Sequence, residues 1–189
     1  MLTNRFGSFS GHFGSFRNVS NRFRVVSDRF WTVSKRFGLF RIVFDPFRSV
    51  LDRFRLDGQR LFITGGSRGL GREMALAIAD AGADVVLTGR DAASLEKTAA
   101  DIRQFGRQAI PIQADMGDTG ECETACKTAL AEHGPISILI NNIGGRRENI
   151  PTQDMPLDTW RRFMDLNLTS TFICTKMIGG AMIKRGLGG

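Results

Sequence analysis

The densest group of residues able to do chemistry is Thr64-Gly65-Gly66-Ser67-Arg68-Gly69-Leu70-Gly71, in which glycines at 65, 69 and 71 follow a G-x-x-x-G-x-G spacing. Each of the three has a physical task. Gly65 permits a tight turn, Gly69 lets backbone amides approach a pyrophosphate, and Gly71 lets the following helix lie close to a strand. The N-terminus of that helix offers free N–H groups and a partial positive charge to the phosphates. Such a spacing is a weak signal alone. Its weight comes from the apolar run Leu61-Phe62-Ile63-Thr64 directly before it and the helix-spaced Leu70, Met74, Leu76, Ala77 and Ile78 directly after it. Cys122 and Cys126 lie one helical turn apart, as a metal pair would. No further Cys/His pair completes a site, so two small residues on one helix face is the simpler reading and no metal is expected. Taken singly, Asn142 reads as a turn former and Asn167 as a polar residue inside a helix.

The elements that must position these residues alternate. Strand one, ending at Thr64, is followed by a helix over Gly69–Ala81 that Gly82 stops. Asp84–Thr88 reads as strand two, Ala92–Phe105 as helix two, Ala109–Gln113 as strand three and Thr119–His133 as helix three. Ile136–Asn141 reads as strand four, and a long helix runs from about Pro156 to Arg185. Strands alternating with helices predict an α/β fold: a Rossmann-like, doubly wound parallel sheet, incomplete at four strands with flanking helices.

The motif TGGSRGLG, Asp115 in ADMGD after strand three, Asn141-Asn142-Ile143-Gly144 after strand four, and Asn167 in DLNLTS on the long helix come in the order of the landmarks of the short-chain dehydrogenase/reductase family. Residues 56–189 resemble the cofactor-binding front half of that family, and within it the 3-oxoacyl-carrier-protein reductase and gluconate 5-dehydrogenase type. By this resemblance Gly65, Ser67, Arg68, Gly69 and Leu70 line the phosphate and ribose site. Asp115 and Met116 meet the adenine ring, Asn142 and Gly144 support the ribose, and Asn167 is the Asn of the catalytic tetrad. Ile143 stands where the family usually has Ala, which mildly crowds the cofactor-facing loop.

Charge bears on the choice of cofactor. An NAD-type site carries Asp or Glu at the end of strand two, whereas an NADP-type site needs cations for the 2′-phosphate. Here the strand ends Leu87-Thr88-Gly89-Arg90 without an acid, and Arg68 stands in the glycine turn. Two guanidiniums near one phosphate favour NADP(H) over NAD(H).

The family's chemistry is hydride transfer between a nicotinamide and a carbonyl or carbinol carbon of a small molecule. A Tyr acts as acid/base, helped by a Lys four residues later, and a Ser orients the substrate oxygen. The chain contains no Tyr. Its nearest imitation, Phe172-Ile173-Cys174-Thr175-Lys176, has no hydroxyl. Strand five, the Ser and the Tyr-x-x-x-Lys segment are expected to follow Gly189, so the chain by itself is expected to be inactive and marginally stable. The loop Gly145–Pro151, with Arg146 and Arg147, borders the nicotinamide end and hints at an anionic or polyol substrate.

Composition separates residues 1–55 from the remainder. The whole net charge of +7 and 11 of the 15 Phe residues fall within residues 1–58. Phe9, Phe16, Phe23, Phe30, Phe37, Phe44 and Leu51 form one column of a seven-residue repeat, but the Gly, Ser and Pro between them suit neither a helix nor a coiled coil. The favoured account of this Phe/Arg-rich extension is a short tandem repeat upstream of the gene read as protein, disordered or non-native. An acid-free transit peptide over the first 27 residues and a nucleic-acid-binding arm compete with it. An odd number of cysteines without a secretory segment points to a reducing, cytoplasmic setting. No apolar run long enough to span a membrane occurs. The expected partners are a small carbonyl or alcohol and, for the full-length family, further copies of the chain; neither nucleic acid nor membrane is expected. The alternative is a non-catalytic nucleotide-binding or interaction protein, with the basic repeat as a tether to nucleic acid or to a partner.

Overall fold

A computed structural model describes residues 52–145 and 148–186. The repeat, and with it the expectations for residues 1–51, lies outside the described residues, as do Arg146 and Arg147.

Four parallel strands, β1 (Arg60–Ile63), β2 (Asp84–Gly89), β3 (Ala109–Gln113) and β4 (Ile138–Ile140), form a sheet in the order β3-β2-β1-β4. Ile63 aligns with Leu87 on one side and with Ile140 on the other. Between them run α1 (Gly69–Asp80), α2 (Ala92–Arg103) and α3 (Thr119–Glu132). Alternation along β1 sends Leu61 and Ile63 to one face and Phe62 to the other. Leu61, Ile63, Val85 and Leu87 pack with Leu76, Ala79, Leu95 and Ile102 of α1 and α2. On the opposite face, Phe62 and Val86 pack with Cys122, Ala125, Cys126 and Ala129 of α3 and with Ile173, Cys174 and Ile178 of the last helix. Helices thus cover both faces, as the near-continuous apolar strands require.

That last helix is not the uninterrupted α-helix expected from its periodicity. It runs as α4 (Leu157–Met164), a π turn (Asp165–Thr169), α5 (Ser170–Cys174), a second π turn (Thr175–Gly179) and α6 (Gly180–Lys184). Side chains compete with its backbone ladder. Asn167 Nδ2 donates to the Phe163 carbonyl at 2.8 Å and Ser170 Oγ to the Leu166 carbonyl at 2.8 Å, the local bonding that loosens a helix. Strand four is also shorter than Ile136–Asn141. Ser137 closes the ladder instead, its Oγ accepting from the Arg60 N–H at 3.0 Å while its own N–H donates to the Arg60 carbonyl.

Strand order reverses between β1 and β4. In a doubly wound sheet, a ligand crevice opens at that switch point, beyond the carboxyl ends of the two strands. The glycine turn leaves β1 there, and Asn141–Gly145 leaves β4 beside it.

Candidate dinucleotide site

The glycine turn is held by backbone geometry and by one buried hydroxyl. Gly65 and Gly69 have φ of +70° and +58°, which side-chain-bearing residues rarely adopt. Gly71 is needed for space: a Cβ there would run into the Gly65 carbonyl oxygen and come within 2.5 Å of Asn142 Nδ2. The close approach is therefore between helix and turn rather than between helix and strand. Gly66 is required too, because its Cβ would meet Leu87 Cβ at 2.8 Å. Its N–H also donates to the Thr88 carbonyl at the end of β2.

Thr64, which is buried, joins the two crevice walls. Its Oγ1 accepts the N–H groups of both Asn142 and Ile143 at 3.0 Å. Asn142 returns the link, its Nδ2 donating to the carbonyls of Thr64 (3.0 Å) and Gly65 (3.2 Å). Asn142 thus shapes the turn, and Ile143 packs inward against the core layer containing Phe62 and Met116.

The helix starts differ from one another. Asp91 caps α2 by accepting the Ser94 N–H at 2.7 Å, and Asp118 caps α3 by accepting from Gly120 and Glu121 at 2.8 and 2.9 Å. At α1 the capping position is Arg68, which makes no capping bond, and the first turn carries no acid. The first N–H groups of α1 consequently lack a side-chain partner at the helix whose start faces the crevice, an arrangement suited to an anion. Leu70, 78% exposed, adds apolar surface at that start.

At the β2 tip, Arg90 is half-exposed and its Nη1 lies 3.8 Å from Asp115 Oδ2. Asp115 is itself built in: its N–H donates to Glu121 Oε2 at 2.7 Å and its Oδ1 accepts the Gly117 N–H at 3.0 Å. Met116, expected to meet the adenine ring, is fully buried and presents no surface to the crevice. Hydrogen bonds from the Ser94 hydroxyl and N–H hold the Asp91 carboxyl below its usual range, with the Arg68 guanidinium adding to the effect. The two cations therefore each have a carboxylate nearby, but such exposed pairs contribute only about 0–1 kcal/mol and can yield to a phosphate.

Asn167 reaches the β4 side. Its Oδ1 accepts the Gly145 N–H at 2.7 Å and its Nδ2 faces the Gly145 carbonyl at 3.3 Å. A Cβ on Gly144 would come within 3.0 Å of that Oδ1. The Asn167 side chain thus fixes the loop bordering the crevice. Phe172 and Lys176 sit together on the last helix, Nζ 5.8 Å from the ring centroid, with no hydroxyl between them.

Sequence reasoning placed the glycines, Asn142 and Asn167 in one crevice but assigned no task to Thr64 or Gly66. A threonine at the end of a buried strand and a second glycine in the turn were the available signals. It also missed Cys174, which packing brings against Cys122 and Cys126 across 48 or more residues of chain. No spacing rule reports such a contact.

Residues 59–189 match the family model described as short chain dehydrogenase. The chain is 35% identical over 134 residues to the 3-oxoacyl-[acyl-carrier-protein] reductase of Synechocystis sp., covering 70% of this chain and 54% of that protein. It is 40% identical over 134 residues to the galactitol 2-dehydrogenase of Rhizobium johnstonii, covering 69% and 51%. A short-chain type dehydrogenase/reductase from Mycobacterium marinum superposes with a TM-score of 0.68 at 36% identity, over 74% of this chain and 56% of that one. The chain spans about half the length of the relatives it matches. With the reversed strand order, the glycine turn and a family match over most of its length, the chain belongs to the short-chain dehydrogenase/reductase family of oxidoreductases.

Proposed function

We propose that the chain is the NADP(H)-binding part of an oxidoreductase that interconverts a carbonyl and an alcohol of a small molecule, and that the chain by itself does not turn over. One observation carries the reading: α1 starts without a side-chain cap at the switch point, with Arg68 at its capping position and Arg90, not an acid, after β2. The bound nicotinamide would supply or accept the hydride. The protein's own residues bind and orient. The α1 N–H groups take the pyrophosphate, Arg68 and Arg90 the 2′-phosphate, and Asp115 the adenine. Asn142 and Gly144 shape the ribose wall, and Asn167 holds the nicotinamide-side loop. The chain holds no Tyr to act as the family's acid/base.

The same reading places the working protein in the cytoplasm as a homo-oligomer. Three reduced cysteines support the first part, and exposed Leu157, Trp160, Leu168 and Phe172 on the last helix support the second. Among the described residues no helix is long and apolar enough to cross a membrane.

Titration of the purified chain with NADPH and with NADH, followed by cofactor fluorescence, tests the proposal. NADPH is expected to bind at least about tenfold more tightly, a difference of about 1.4 kcal/mol, with no oxidation when carbonyl compounds are added. Equal affinity, tighter NADH binding or sustained turnover would each contradict it.

A further inference from the structure

All three cysteines of the chain meet in one place, and none of them serves the dinucleotide site. Cys122 and Cys126 sit one turn apart on α3 and face Cys174 at the end of α5. Their sulfurs lie 3.8 Å (Cys122) and 3.7 Å (Cys126) from Cys174 Sγ, and all three lie within 4.8 Å of one another. Each residue is fully buried, in the core layer that also holds Ala125, Ala129, Ile173 and Ile178. The Cys126 thiol donates toward Cys174, Cys174 and Cys122 share a contact, and Cys122 donates toward the Ser170 carbonyl at 3.8 Å. Packing asks a cysteine only to be a small apolar filler. It does not require two helices to bring three sulfurs within 4.8 Å of one another.

We propose that this cluster is a three-coordinate site for a soft, thiophilic ion, monovalent copper. Ligands at about 2.3 Å around a trigonal centre place three sulfurs about 4 Å apart, and the observed separations differ from that by less than about 1 Å. Among the described residues no His, Asp or Glu joins the cluster. An all-sulfur set disfavours Mg(II) and Ca(II), which take oxygen ligands, and leaves Zn(II) without the fourth ligand of its structural sites. Soft thiolates select Cu(I). On binding, Cu–S bonds replace S–H bonds and the released protons pass to solvent; neither copper nor sulfur changes oxidation state. Because the ligands come from two helices, the ion would staple α3 to α5. Full burial means that it enters by local separation of the two, so loading is slow compared with dinucleotide binding. The site uses no residue of the glycine turn and stands or falls independently of the proposed function.

The test uses the full chain, reduced and kept free of oxygen, titrated with Cu(I) held as its bathocuproine disulfonate complex, with Zn(II) as a parallel arm. One Cu(I) per chain should leave the chelator, with an X-ray absorption shell of sulfur alone, and it should raise the melting temperature. Loss of one ligand should weaken binding by at least about a hundredfold, the upper end of what even outer-shell changes cost, in each of Cys122→Ala, Cys126→Ala and Cys174→Ala. Circular dichroism checks that these variants fold, and the wild-type stoichiometry is decisive without them. The proposal is overturned if the reduced wild type removes no copper from the chelator, or if the triple alanine variant still holds it. Preference for Zn(II), or nitrogen and oxygen in the metal shell, would also overturn it.

Discussion

At the scale of the residue, the site depends on a few atoms with no spare room or no second partner. Thr64 Oγ1 serves two N–H groups at once, so Thr64→Val should orphan both, at about 1–3 kcal/mol for each donor left unpaired. Urea denaturation would show the loss, and unchanged stability would mean that water replaces the hydroxyl. Gly71→Ala forces a methyl group against the Gly65 carbonyl and Asn142 Nδ2. It should cost about 1–3 kcal/mol as an overpacked position does and abolish NADPH binding. Arg90 faces Asp115 at 3.8 Å; Arg90→Ala should weaken NADPH by about tenfold at low salt and leave NADH unchanged. A parallel loss for both cofactors would show that Arg90 holds the Asp115 loop rather than the 2′-phosphate.

At the scale of the element, helix starts divide the chain's work between stability and binding. Asp118 caps α3 with two hydrogen bonds, and Asp118→Ala should cost about 1 kcal/mol in denaturant midpoint experiments, with cofactor binding intact. Asp91 gives a pH signature at α2. Its folded-state carboxyl titrates below the ordinary value of 3.8, so its contribution is present in full above that value and is lost as pH falls through the folded one. Stability of Asp91→Asn should therefore converge on that of the wild type only in acid. Element types and most boundaries could be read from the sequence because apolar period and stop signals agree, as at Gly69–Ala81 followed by Gly82. The first π turn could not, because Asn167 and Ser170 bond there to carbonyls four residues back, which apolar spacing does not register. Contacts across the fold were equally hidden: Asn167 to Gly145, and Cys174 to Cys122 and Cys126, appear only when helices pack.

At the scale of the whole molecule, the described sheet ends in a strand that is incompletely covered. Ile138, Leu139 and Ile140 of β4 are half-buried, whereas Leu61, Phe62 and Ile63 of β1 are fully buried. Trp160, Leu168 and Phe172 on the last helix are 49%, 58% and 61% exposed. An apolar strand edge beside such a helix invites association, so heating the isolated chain should give a broad, concentration-dependent transition. A sharp transition independent of concentration would show the described core to be sufficient. The central claim is that a dinucleotide phosphate seats on the uncapped start of α1 between β1 and β4. Amide hydrogen exchange of the chain with and without NADPH tests it most directly: the account predicts slowed exchange in Gly65–Arg72 and in the loop after β4, with α3 unaffected. No protection in the glycine turn at saturating NADPH, or protection confined elsewhere, would contradict it.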